Sequence, residues 1–156
     1  MPHDPEEMLG RAIELAVANV AAGGGPFGAV VVTPDGRVFE GVNRVTRDND
    51  PTAHAEVVAI RAACRELGTF DLSGAVVYAS CEPCPMCLAT ALWARVATVR
   101  YAADRHAAAA AGFSDAAFYD YLSGEDRSAM SVARVEHARA LEPFSAWERF
   151  EGRVEY

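Results

Sequence analysis

His54 and Glu56, in Thr52-Ala53-His54-Ala55-Glu56, and Cys84 and Cys87, in Cys81-Glu82-Pro83-Cys84-Pro85-Met86-Cys87, are the residues of this chain best suited to chemistry. One imidazole and two thiolates supply three ligands to a zinc ion and leave its fourth tetrahedral position open for water. Zinc brings the pKa of such a water down to about 7, and a carboxylate beside it can take the proton and hand it on. Glu56 is the carboxylate in the right place. The set therefore points to a hydrolytic zinc centre, with His54, Cys84 and Cys87 as ligands and Glu56 as proton carrier.

Such a centre needs two chain segments to converge. Cys84 and Cys87 fall on one face if they share a helical turn. Pro83 and Pro85 suit the start of that helix, where a missing N–H is harmless, and the positive end of the helix dipole favours thiolates. His54 and Glu56 would diverge in mid-helix and converge only at a helix start, for which Thr52 is a candidate N-cap. The competing arrangement is a closed structural zinc with Cys81 as fourth ligand, which would leave Glu56 without a task. Cys81 could equally be a core thiol at a strand end. Cys64 lies on an apolar helix face and reads as structural.

The rest of the chain supplies the scaffold. The spacing predicts a helix over 6–22 with Leu9, Ile13, Ala16, Val17 and Val20 on its buried face, stopped by Gly23-Gly24-Gly25-Pro26. Strands are expected over 27–33 and 38–45, joined at Pro34-Asp35-Gly36, with a polar loop over 47–51. A second helix over 53–67 turns Val57, Ile60, Cys64 and Leu67 to the core. A buried strand over 75–80 leads into the cysteine helix, which runs to about 94, and 96–102 fits another strand. The alanine-rich stretch over 102–111 ends at Gly112, 116–122 reads as a short helix, 132–135 as a last strand and 143–151 as a C-terminal helix. Helices alternate with strands, with no repeat or linker, so an α/β fold in a single domain over 1–156 is expected.

Composition narrows the function. With 156 residues and 51% hydrophobic side chains, the chain can bury a proper core. No apolar run approaches a membrane span. The N-terminus is acidic and lacks the features of a signal peptide, so the cytoplasm is the expected compartment. Net charge is −8 and all 14 basic residues are isolated arginines. A nucleic-acid partner calls for a basic patch, which argues instead for a small neutral substrate.

His-x-Glu followed by Pro-Cys-x-x-Cys is the signature of the zinc-dependent nucleobase deaminases, and the chain resembles the cytidine deaminase superfamily. Within it, the chain is most similar to the small zinc-dependent bacterial guanine deaminases. That similarity runs through residues 24–30, 49–56, 80–88, Trp93-Ala94-Arg95, 111–115, 143–147 and Glu155-Tyr156, and the last three segments indicate the guanine branch. The resemblance implies a three-layer α/β/α sandwich around a five-stranded mixed sheet, hydrolytic deamination of guanine, and Zn2+ as cofactor. It also implies a homodimer that exchanges its C-terminal segment, about 130–156, to close the partner's site. By matching positions, Phe27, Asn43, Ala55, Trp93 and Tyr156 would contact the base, and Asp115 would accept from its N–H groups or shuttle protons.

Each of these residues has a plainer reading. Asp115 could be a helix N-cap, Asn43 a turn residue, Phe27 and Trp93 core residues, and Tyr156 a frayed terminus. The rival functions are deamination of another small amino-heterocycle such as cytosine or a guanine nucleoside, tRNA adenosine deamination, and a zinc-stabilised module without activity.

Overall fold

The computed structural model describes residues 3–156. The chain divides into two compact units, Met1–Tyr119 and Asp120–Tyr156. In the first, Asp4 caps helix α1 (Pro5–Ala21) by accepting the Glu6 N–H at 3.0 Å, with Pro5 at the first turn and Glu6 and Glu7 at its positive end. Strands β1 (Gly28–Val32) and β2 (Val38–Val42) form the expected hairpin, whose turn is closed by Gly36 N–H donating to Thr33 O at 2.9 Å. Gly36 sits at φ 86°, a conformation that favours glycine. Where a polar loop was expected, one turn of helix, α2 (Val45–Asp48), is held by an Arg44–Asp48 ion pair at 2.7 Å.

Helix α3 (Ala55–Leu67), strand β3 (Val76–Cys81), helix α4 (Pro85–Trp93) and strand β4 (Thr98–Ala103) follow in order, then α5 (Arg105–Ala110) and α6 (Ala116–Ser123). The sheet runs β2-β1-β3-β4, with β1 antiparallel to both neighbours and β3 parallel to β4. The parallel pair is joined through α4, as a crossover requires. Successive β1 residues enter different clusters, as the two-residue strand period dictates. Ala29 and Val31 pack with Ala59 and Ile60 of α3 and Ala91 of α4. Val30 and Val32 pack with Met8 and Ala12 of α1. The mixed sheet thus carries α1 against one set of side chains and α3 with α4 against the other.

Two expectations fail here. The buried face of α1 is Met8, Ala12, Ala16 and Asn19, while Ile13, Val17 and Val20 are exposed. The helix approaches β1 so closely that a Cβ on Gly28 would collide with the Ala12 carbonyl and stand 2.8 Å from the Ala16 nitrogen. Only the small residues Ala12 and Ala16 permit that approach, so the stripe with Ile13, Val17 and Val20 is turned away. The sheet also has four strands among the described residues. Residues 132–135 form no strand, because Val132 and Val135 lie exposed and without a ladder partner.

A second close approach bears on the site. A Cβ on Gly41 of β2 would collide with the Ala55 carbonyl and reach within 2.5 Å of the Ala59 nitrogen, both in the first turns of α3. Gly41→Ala is therefore expected to lower stability by about 1–3 kcal/mol through backbone displacement, read as a lower urea midpoint at unchanged slope. A midpoint equal to the parent's would show that α3 moves aside freely.

The second unit contains the last residues of α6, α7 (Glu142–Arg149) and irregular chain. None of its residues is buried, and Leu122, Val135, Leu141 and Phe144 are each at least 65% exposed. Among the described residues, no helix is long and apolar enough to cross a membrane.

Candidate active site

The two chemical segments converge because each opens a helix. His54 is the N-cap of α3 and Cys84 the N-cap of α4, both in extended conformation and neither using its side chain as a cap. Their side chains are thereby free to turn toward one another. The expected cap, Thr52, instead bonds its hydroxyl to Asp50 at 2.7 Å and stabilises the loop before the helix. Glu56 falls in the first turn of α3 and Cys87 in the first turn of α4, so a two-residue and a three-residue spacing meet at one place.

The His54 Nδ1 atom lies 3.5 Å from both the Cys84 and the Cys87 Sγ atoms. All three ligand atoms are within 4.8 Å of one another. Three donors on tetrahedral zinc, with bonds of about 2.0–2.3 Å, stand about 3.5–3.8 Å apart. The donor set fits zinc in both chemistry and spacing. Among the described residues, Cys81 is not in the cluster, and its thiol points to the Asp104 carbonyl at 3.8 Å. Three ligands with an open fourth position is therefore the arrangement this geometry accommodates.

Electrostatics agrees. The Cys87 thiol hydrogen-bonds the Cys84 sulfur and holds its pKa down to about 4, helped by His54. Cys87 is correspondingly pushed up, first by that same partner and then by burial. The His54 imidazole is raised, chiefly by its hydrogen bond to Cys84. Glu56 is buried, and desolvation raises its affinity for a proton. Its carboxylate accepts from the Cys87 thiol at 3.2 Å, so it stands directly beside the ligand cluster.

A cavity of about 490 Å³ opens over the cluster, with His54, Glu56 and Cys84 in its wall. That is the size of a small-molecule site. Of the residues read from sequence, Phe27, Asn43 and Asp115 also line it. Phe27 meets Phe113 edge to face, with centroids 5.0 Å apart, forming an aromatic corner. Asn43 follows β2, and its Oδ1 accepts the Val45 N–H at 3.1 Å. Asp115 precedes α6, where its carbonyl accepts the Phe118 N–H at 2.9 Å.

Three residues lie apart from this wall. Ala55 is fully buried in the apolar cluster beneath α3. Trp93 is 71% exposed at the far end of α4 from its cysteines, outside the core as well as outside the cavity lining. Tyr156 belongs to the second unit and is exposed.

Sequence reasoning passed over Phe113, Glu82 and Arg105, which also line the cavity. The Arg105 guanidinium lies over the Tyr119 ring at 4.6 Å, and the Arg105 backbone N–H donates to the Glu82 carboxylate at 3.2 Å. The signal for Arg105 was Asp104, which caps α5 by accepting the Ala107 N–H at 2.9 Å and so fixes where that helix begins.

Comparison with known proteins follows the same lines. Residues 2–103 match the family described as the cytidine and deoxycytidylate deaminase zinc-binding region. The chain is 49% identical to the guanine deaminase of Bacillus subtilis, over 97% of this chain and 98% of that one. The crystal structure of Bacillus subtilis guanine deaminase superposes with a TM-score of 0.93 at 48% identity, covering 100% of this chain and 99% of the other. The tRNA-specific adenosine deaminase of Haemophilus influenzae is 32% identical over 96% of this chain and 88% of its own length. The chain belongs to the cytidine and deoxycytidylate deaminase zinc-binding family.

Proposed function

We propose that this protein is a zinc-dependent aminohydrolase that converts guanine and water to xanthine and ammonia. The observation that carries this reading is the convergence of the His54, Cys84 and Cys87 set with Glu56 on one wall of a cavity that also presents Phe27, Asn43 and Asp115. The high identity to a guanine deaminase along nearly the whole chain supports the choice of base.

A zinc ion held by His54, Cys84 and Cys87 supplies a Lewis acid that acidifies water. The buried Glu56 takes a proton from water and delivers it to the ring nitrogen beside the amine-bearing carbon. It then takes the proton of the hydroxyl newly bonded to that carbon and delivers it to the departing amine, leaving a carbonyl. A C–O bond forms at that carbon, the C–N bond breaks, and ammonia leaves. Phe27 and Phe113 offer aromatic surface to the planar base, and the Asp115 carboxylate matches the N–H donors of guanine. A base lacking those donors would leave Asp115 unpaired, which discriminates strongly. Ala55, whose side chain is buried in the apolar cluster, would meet the base through the backbone of the first turn of α3.

The working enzyme in this reading is a three-layer α/β/α homodimer in which Trp93 lines the pocket and the C-terminal segment, about 130–156, is exchanged so that Tyr156 borders the partner's base. The absence of any buried residue in Asp120–Tyr156, with its many exposed apolar side chains, supports a covering partner. Four free thiols suit a reducing cytoplasm. A net charge of −8 opposes a polyanionic tRNA substrate.

The test is ammonia release from zinc-loaded protein offered guanine, guanosine, cytosine, cytidine and adenine in parallel. Release from guanine alone is expected. Turnover of cytosine or a nucleoside with guanine inert would leave the zinc chemistry standing and overturn the pocket assignments. Silence on all five would favour a structural zinc.

A further inference from the structure

Asn19 is a buried amide on α1, 4% exposed, in the stripe that the structure buries with Met8, Ala12 and Ala16. Its Nδ2 donates to two carbonyls, Gly25 O and Asn43 O, each at 2.8 Å, so both amide hydrogens are used. Its own backbone carbonyl accepts the Gly24 N–H at 2.8 Å. The glycine turn is wrapped around this side chain. A Cβ on Gly24 would collide with the Asn19 amide, reaching 2.8 Å from its Cγ. A Cβ on Gly25 would come 3.1 Å from the Asn43 Cγ.

Asn43 is thus held from several directions. Its N–H donates to Phe27 O at 3.1 Å, its carbonyl accepts from Asn19, and its Oδ1 accepts the Val45 N–H. An amide oxygen must face that N–H, so the Nδ2 end is the one left for a molecule in the cavity.

We propose that Asn19 is a positioning residue that, through the Asn43 carbonyl and the Gly24-Gly25 turn, fixes Asn43 as a hydrogen-bond donor to a ring acceptor of the base. The inference rests on the reading of the cavity as a nucleobase site. Asn43 and Asp115 then form a complementary pair: the amide recognises an acceptor on the base, and the carboxylate recognises its donors. A base must offer both to be held in register. Unpairing two carbonyls by removing Asn19 would loosen the Asn43 backbone without touching the zinc ligands.

The experiment compares the parent with N19A, N19S, N43A, G25A and the double variant N19A/N43A, all zinc-loaded. With guanine, N19A is expected to raise KM by about tenfold, the worth of roughly one or two hydrogen bonds, with kcat and zinc content little changed. N19S keeps one donor and should fall between N19A and the parent. The double variant should match N43A alone, because Asn19 acts through Asn43. In 15N spectra, the dispersed Asn43 side-chain amide resonances should collapse toward solvent-exposed positions in N19A, with the spectrum away from the glycine turn preserved. An N19A variant with unchanged KM and unchanged Asn43 resonances overturns the inference, as does an effect that multiplies with that of N43A. If neither Asn19 variant folds, G25A decides by the same two readouts, since its added Cβ presses on the Asn43 side chain. A parent inert toward guanine would refute the functional reading, and the Asn43 resonances would still decide the positioning role.

Discussion

Replacing Glu56 by glutamine is expected to lower kcat by about two to four orders of magnitude, the range of a positioned acid–base group, while zinc content stays at the parent's level. Glutamine keeps the volume and polarity of a side chain that is 7% exposed, so the packing at the start of α3 has no reason to change. What it removes is the capacity to pick up and release a proton. Glu56 stands beside the ligand cluster through its 3.2 Å contact with Cys87, yet it is not one of the three mutually close ligands. Metal binding and catalysis should therefore separate in this variant. Parallel metal analysis and ammonia-release assays check it. Activity within a few-fold of the parent would remove Glu56 from the proton-transfer role. Loss of zinc together with activity would make it part of the metal site instead.

The convergence of Glu56 with the ligand cluster was readable from the sequence because His54 and Glu56 are two residues apart, a spacing that brings side chains together only where a helix begins. The site was legible in this way, through local geometry that few residues determine. The cap itself was misread. Thr52 has the right chemistry, but a competing Asp50 carboxylate two residues upstream captures its hydroxyl, and His54 takes the cap position with its ring turned toward Cys84 and Cys87. The element order was legible from periodicity and turn residues, but the buried face of α1 was not. Leu9, Ile13, Val17 and Val20 have the correct helical period, and nothing local says which stripe meets the sheet. Contact with Gly28 of β1 decides it, and selects Met8, Ala12, Ala16 and Asn19. The same selection hid Asn19, since a buried amide is recognisable only once its two carbonyl partners are known. The strand expected at 132–135 failed for a related reason, because an apolar run becomes a strand only when a ladder partner exists.

Removing one zinc ligand should have the largest effect of all. Cys87 is 2% exposed, and its thiol lies between the His54 ring and the Glu56 carboxylate. Cys87→Ala leaves two ligands at the metal position, and deamination should fall to background. The variant should also melt at a lower temperature than the zinc-loaded parent, because metal affinity for the folded chain is folding free energy that the variant cannot gain. His54 and Cys84 are the caps of α3 and α4, so the ion ties together two helix starts that have no other side-chain cap bonds. Treating the parent with a chelator should reproduce both losses. Adding zinc back should restore melting temperature and activity in the parent and neither in the variant. Restoration of melting temperature without activity in the variant would show that two ligands suffice to hold the metal, and that the third serves only to shape its open position. A melting temperature indifferent to zinc in the parent would mean that the scaffold of α1, α3, α4 and the sheet organises the site before the metal arrives.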